Sequence, residues 1–224
     1  MNFKVNVIGL SLLTILVISM HSNAEEMALY PTGPSQDSSF LRFVNGTEQS
    51  ITLSSTGAKK MAMSINQPAT SFYPIAANSM IKGNYSATNT SSNIAISVKP
   101  GEFATSIALT SASGLKQLVL REQPDDFNAL KASIALYNTD TNCTNAGLNV
   151  VGRSVNLFEK VAAGNLQRRA LNPVKISVQL LCNAQKTSAP LDLGLLQAGQ
   201  RYSIFVLPSK QTSRLFFTSD NIAQ

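Results

Sequence analysis

The sequence predicts an all-β protein: two tandem antiparallel β-sandwich domains joined by a short linker. Three observations predict it. Charged residues make up only 13% of the 224 residues, about half the usual share. Ser, Thr and Asn are abundant, which suits short strands and polar turns and excludes a coiled coil or a charged helical bundle. Period-two alternation recurs between Gly, Pro, Asn and Ser punctuation. The strand motifs of the first half also return in the same order in the second.

The chain opens with Lys4 and an uncharged apolar run, Val7–Met20, closed by Ser22-Asn23-Ala24. A run of about 14 residues falls short of the roughly 20 that span a bilayer, and small residues precede the junction. This reads as a secretory signal peptide, residues 1–24, cut between Ala24 and Glu25. The expected mature chain, Glu25–Gln224, is exported and not membrane-spanning, and carries one positive charge fewer than the +6 of the whole chain. Residues 25–121 are expected to form the first sandwich, 122–127 the linker, and 128–224 the second. The linker is Glu122-Gln123-Pro124-Asp125-Asp126, polar and with a proline that cannot continue a central strand.

Within the first sandwich, Ser39–Asn45 alternates, with Leu41 and Phe43 on one face and Arg42 on the other; Gly46-Thr47 turns the chain. Lys99-Pro100-Gly101-Glu102 leads into Ser106–Leu109, and Leu118-Val119-Leu120 closes the unit. In the second, Ser133–Thr139 repeats the first strand, with Ile134 and Leu136 on the corresponding face. Gln197-Ala198-Gly199-Gln200 then leads into Ser203–Val206, before Leu215-Phe216-Phe217. Val174–Cys182 alternates most cleanly, so Val174, Ile176, Val178, Leu180 and Cys182 face the core, as does Tyr202 beside Ile204 and Val206. Ser154–Arg169 lacks alternation and is expected to hold a short helix.

Cys143 and Cys182 are the only cysteines. In an oxidising compartment they most simply form one disulfide, the alternative being two separate thiols. Closing a loop of about 40 residues contributes roughly 4 kcal/mol on the chain-entropy view. Two thiolates without histidine make no structural metal site, and no cofactor is implied.

The one histidine, His21, lies in the leader. The mature chain then has no imidazole for Ser-His-Asp or Cys-His catalysis. A Ser-Lys dyad is the easy substitute. Ser54, Ser55, Lys59 and Lys60 are neighbours in sequence, as are Ser203 and Lys210, but ordinary solvated roles explain them better. The carboxylates are scattered over turns, not paired for glycoside hydrolysis. Export and the absence of an aromatic-basic cluster exclude a nucleic-acid partner. The positive balance fits an anionic partner. Arg42, Arg168, Arg169 and Lys175 are the basic candidates for partner or polymer contact, with Lys59, Lys60, Lys116 and Arg121 beside them. Tyr30, in the Pro- and Gly-rich entry segment Ala28–Ser39, is the aromatic one.

Ala28-Leu29-Tyr30-Pro31 followed by Ser39–Asn45, then Val161-Ala162-Ala163-Gly164, Arg169 and Asn172–Val178, resembles the AlgF family of alginate O-acetylation proteins in order and spacing. The resemblance implies a periplasmic protein of two linked β-sandwiches, required for acetylating an exported polyuronate without performing the transfer itself. Its implied partners are periplasmic and membrane-associated O-acetyltransferases, and the anionic polysaccharide. The chain departs from the family pattern in carrying Cys143 and Cys182. The competing expectation is a secreted carbohydrate-binding or adhesive tandem β-sandwich with no role in acetylation.

Overall fold

The computed structural model describes residues 38–55, 59–123 and 128–223. The leader with its Ala24–Glu25 junction, Tyr30 and residues 124–127 of the expected linker lie outside the described residues. Strands alone build what is described; no helix among these residues is long and apolar enough to cross a membrane.

The first half contains β1 (Ser38–Asn45), β2 (Ile51–Ser54), β3 (Met61–Met63), β4 (Tyr73–Ala76), β5 (Ile81–Ala87), β6 (Thr90–Ile96), β7 (Phe103–Ser111) and β8 (Gly114–Glu122). They form two sheets, β4-β1-β7-β8 and β3-β2-β5-β6. The second half contains β9 (Ala132–Asn138), β10 (Asn145–Val150), β11 (Asn156–Ala162), β12 (Asn165–Leu171), β13 (Val174–Cys182), β14 (Gln185–Lys186), β15 (Leu191–Leu196), β16 (Arg201–Leu207) and β17 (Arg214–Ser219). Its sheets are β12-β9-β16-β17 and β11-β10-β13, the latter extended by β14 and β15, both paired to β13. With the two-residue β14 set aside, the second half repeats the topology of the first strand for strand.

All pairings between these strands are antiparallel except β1 with β7 and β9 with β16. Those two are parallel because the chain leaves each inner sheet, builds the outer one, and returns in the same direction; parallel neighbours need such a long crossover. The repeat holds at the residue level. Gly101 N–H donates to Ser38 O at 2.8 Å and Gly199 N–H to Lys131 O at 2.9 Å. Both glycines sit at φ +72°, a left-handed turn that favours a residue without Cβ. Asn45 and Asn138, at matching ends of β1 and β9, are both fully buried. Each holds its inner sheet to the outer one: Asn45 Nδ2 donates to Met63 O at 3.0 Å, and Asn138 Nδ2 to Val161 O at 2.9 Å.

Three apolar layers separate four stacked sheets. Leu41, Tyr85, Ile94, Ile96 and Ala104 fill the first sandwich. Ile134, Leu136, Leu148, Val178, Leu180 and Ile204 fill the second, with Tyr202 as expected. Between the two inner sheets lies a third layer: Val44, Ile107 and Leu109 from the first half meet Tyr137, Phe205 and Leu207 from the second. By register these are the same three positions of the repeat. The inner sheets are therefore buried on both faces.

The helix expected within Ser154–Arg169 is absent; that stretch forms β11 and β12. Its alternation is broken because β11 carries two extra residues against β10. Ala146 pairs with Val161, Leu148 with Phe158 and Asn149 with Asn156. Each extra residue shifts the inward phase by one, so Leu157, Phe158 and Val161 are all buried and Lys160 takes φ +52°.

Candidate functional site

Arg42 does not present from a solvent face. Because the second half covers that face of β1, its side chain is 1% exposed. Nη1 donates to Asp220 Oδ1 at 2.7 Å, Nη2 to Ser203 Oγ at 2.7 Å and Nε to Thr105 Oγ1 at 3.0 Å. The guanidinium carbon lies 4.4 Å from the Phe72 ring centre, 4.9 Å from Phe205 and 5.1 Å from Tyr137, a cation caged by aromatic faces. Arg168 is also withdrawn. It grips Glu122 with Nε and Nη2, both at 2.9 Å, and reaches Asp220 Oδ2 at 2.8 Å. Arg201 adds a longer contact to Glu122 at 3.4 Å while packing over Phe103. Asp220 and Glu122 occupy equivalent ends of β17 and β8, so each half supplies one carboxylate to a shared polar junction.

Electrostatics fix the protonation of this junction. Burial alone would raise the Asp220 pKa, but Arg42 and Arg168 outweigh it and hold the carboxyl below its usual range. Burial would lower Arg42; the Asp220 and Glu122 carboxylates outweigh that, so it stays charged. Tyr137 is pushed up by burial and remains a neutral donor to Glu122, at 3.2 Å. Ser203 is fully buried. It donates to Asp220 at 2.6 Å while accepting from Arg42, and its burial keeps the hydroxyl out of reach of a substrate.

The other candidates separate. Arg169 is exposed at the edge of the second sandwich, and its Nη1 donates to Leu157 O at 2.5 Å. Lys175 is exposed on the outer face of β13, near Asp192. Cys143 and Cys182 form a disulfide, with Cα atoms 5.0 Å apart, that ties the loop before β10 to the end of β13.

Sequence reasoning missed a groove of about 440 Å³ on the outer face of the β11-β10-β13 sheet. Gly147 and Leu181 form its floor. A Cβ on Gly147 would stand 3.0 Å from Phe158 O and 3.5 Å from the Leu181 Cβ. Asn145 and Asn183 stand at one side: Asn183 N donates to Asn145 O at 2.9 Å, and Asn183 Oδ1 accepts from Thr144 Oγ1 at 2.6 Å. Asn156, Glu159 and Lys160 line the other, where Asn156 Nδ2 donates to Glu159 Oε1 at 3.3 Å. Lys160, Asn183 and Ala184, all lining this groove, have φ of +52°, +52° and +68°, a conformation that L side chains rarely adopt. The missing alternation in 154–169 was the signal for this site, because the extra residues of β11 shape one wall.

Burial also sorts the charges. Glu102, Glu122 and Asp140 are buried, as is the Asp220 side chain, so among the described carboxylates only Glu48, Glu159 and Asp192 are exposed. Lys59, Lys60, Lys82, Lys99, Lys116, Lys160, Lys175, Lys186 and Lys210 are all exposed. Among the described residues, then, the exposed charges are mostly cationic. Among the described residues no group of three His, Cys, Asp or Glu side chains is placed to hold a metal ion.

Fold and surface together define a duplicated β-sandwich protein with a buried ionic junction, mostly cationic exposed charges among the described residues, and a groove on the outer sheet of the second half. The chain belongs to the AlgF family: the family described as "Alginate O-acetyl transferase AlgF" matches residues 11–203. It is similar to the "Alginate biosynthesis protein AlgF" of Pseudomonas fluorescens, 27% identical over 169 residues, covering 73% of this chain and 70% of that protein. Among solved structures, the C-terminal domain of AlgF from P. aeruginosa is 21% identical, covers 40% of this chain and 98% of its own, and has a TM-score of 0.35. A family CBM26 carbohydrate-binding module from Eubacterium rectale Amy13K, solved with maltoheptaose, is 10% identical, with coverages of 80% and 97% and a TM-score of 0.26.

Proposed function

We propose that this protein is a periplasmic, non-catalytic accessory component of alginate O-acetylation, acting by binding the acetyltransferases and the anionic polymer. Membership of the AlgF family supports the pathway. The observation that carries the non-catalytic reading is the position of the chain's one histidine, His21, inside the expected leader. Without imidazole, an acyl-transfer serine lacks its usual base. The state of Ser203 agrees, since its hydroxyl is buried and its proton is committed to the Asp220 carboxylate. Polymer contact is supported by the exposed lysines, which attract a polyanion over about a Debye length. Residues 25–121 and 128–224 are the two domains of this reading, and Lys175 and Arg169 remain its exposed contact residues. Two assays test it together: acetyl turnover by the purified protein, and co-purification with the acetyltransferases of its own operon. We expect no turnover and a specific complex. Steady acetyl transfer by the isolated chain, abolished by one Ser or Lys substitution, would overturn the reading.

A further inference from the structure

We propose that the groove on the outer face of β10, β11 and β13 binds one carboxylated sugar ring of the polysaccharide; the inference rests on the accessory role above and gives its polymer contact a site. The Asn145 side-chain amide, Asn183 Nδ2 and the Lys160 ammonium line this groove and make no hydrogen bond within the described residues. Such groups at the rim match the needs of a uronate. Amides donate to and accept from ring hydroxyls, and an ammonium pairs with the ring carboxylate. Glu159, steadied by Asn156, accepts from a hydroxyl. The floor is apolar where it must be: Leu181 offers a hydrocarbon surface to the C–H face of a pyranose, and Gly147 leaves the depth that any side chain would fill.

The backbone supports the assignment. Four described residues with Cβ atoms are held at positive φ; three of them, Lys160, Asn183 and Ala184, line this groove, and the fourth, Asn78, lies in the first half. Glycine would relieve each of these positions, so the side chains there are kept against a conformational cost. Lys160 is the informative one, because glycine at that position removes the ammonium and the strain together.

The test uses the full mature chain, with short alginate oligosaccharides, a neutral malto-oligosaccharide of equal length and free glucuronate as probes. Calorimetry reads affinity, and amide shifts map the site. We expect binding of the alginate oligosaccharide, weaker binding of free glucuronate, none of the neutral chain, and shifts at Asn145, Gly147, Asn183 and Ala184. Lys160→Gly should weaken the affinity about tenfold, the effect of losing one charge-assisted hydrogen bond, with a melting temperature no lower than the parent's. Asn145→Ala should weaken it without changing the salt dependence. No binding by the parent chain, equal binding of the neutral chain, or an unchanged affinity in Lys160→Gly would overturn the proposal. Co-purification with the acetyltransferases, followed in the same preparations, reports on the accessory role separately: a groove that fails beside an intact complex overturns only the groove.

Discussion

Asp220 shows how one side chain governs a junction of distant parts. It bonds Arg42, 178 positions away, as well as Arg168 and Ser203 from its own half. Removing its charge leaves the buried Arg42 guanidinium without a carboxylate partner, while Arg168 keeps its grip on Glu122. Asp220→Asn should therefore cost about 3–5 kcal/mol in urea unfolding near neutral pH. The pH dependence follows from the lowered carboxyl pKa. The native state binds this proton less readily than the unfolded chain, so the stabilisation is complete above about pH 4, the ordinary carboxylate range. It disappears as the pH falls through the lower folded value. Parent and Asp220→Asn should converge in stability toward that pH; a constant gap across the acid range would refute the role given to the ion pairs.

At the scale of elements, the disulfide closes the outer part of the second sandwich by joining β13 to the loop that precedes β10. Replacing both Cys143 and Cys182 by Ala should lower stability by about 2–4 kcal/mol. Faster amide exchange should follow in β10 and β13, with β5 and β7 unaffected. Elements also differ in how plainly the sequence declares them. β13 belongs to an outer sheet with one wet face, so Val174, Ile176, Val178 and Leu180 alternate with Lys175, Ser177 and Gln179 and the strand is readable at sight. β9 and β16 are covered on both faces, and their unbroken runs, Ile134–Tyr137 and Ile204–Leu207, carry that information. Arg42 was legible as a strand residue but not as a buried one. Its partners are fixed by the packing of one half on the other, which no local pattern encodes. β11 was illegible for a different reason: two inserted residues destroy the period that identifies a strand, and the groove went unseen with it.

The whole molecule depends on the contact between its inner sheets. Val44, Ile107 and Leu109 oppose Tyr137, Phe205 and Leu207 in an apolar layer beside the ionic junction. Arg214 Nη2 adds a bond to Thr47 O at 2.7 Å, and the end of the chain returns to the first half through Phe72 N and Asn221 O at 2.8 Å. The parent should unfold as one cooperative transition in calorimetry. The double change Ile107→Asp and Phe205→Asp buries two unpaired carboxylates in that layer. It should split the unfolding into two transitions, one for each half. A single transition in that variant would mean that the apolar layer does not couple them.

The doubled architecture invites the expectation of two equivalent ligand sites, and the strands beside the groove say otherwise. In the first half, the counterpart of β11 is β3, only three residues long and paired to β2 without a bulge. It cannot supply the wall that Asn156, Glu159 and Lys160 form in the second half. Meanwhile the surfaces that would let two chains associate through their inner sheets are already occupied within one chain. The groove of the second half thus has no symmetry copy in the first, despite the repeat. A polymer seated in the proposed groove would therefore be held at one point of the repeat, so that a strand could advance past a complex without being cross-linked to itself.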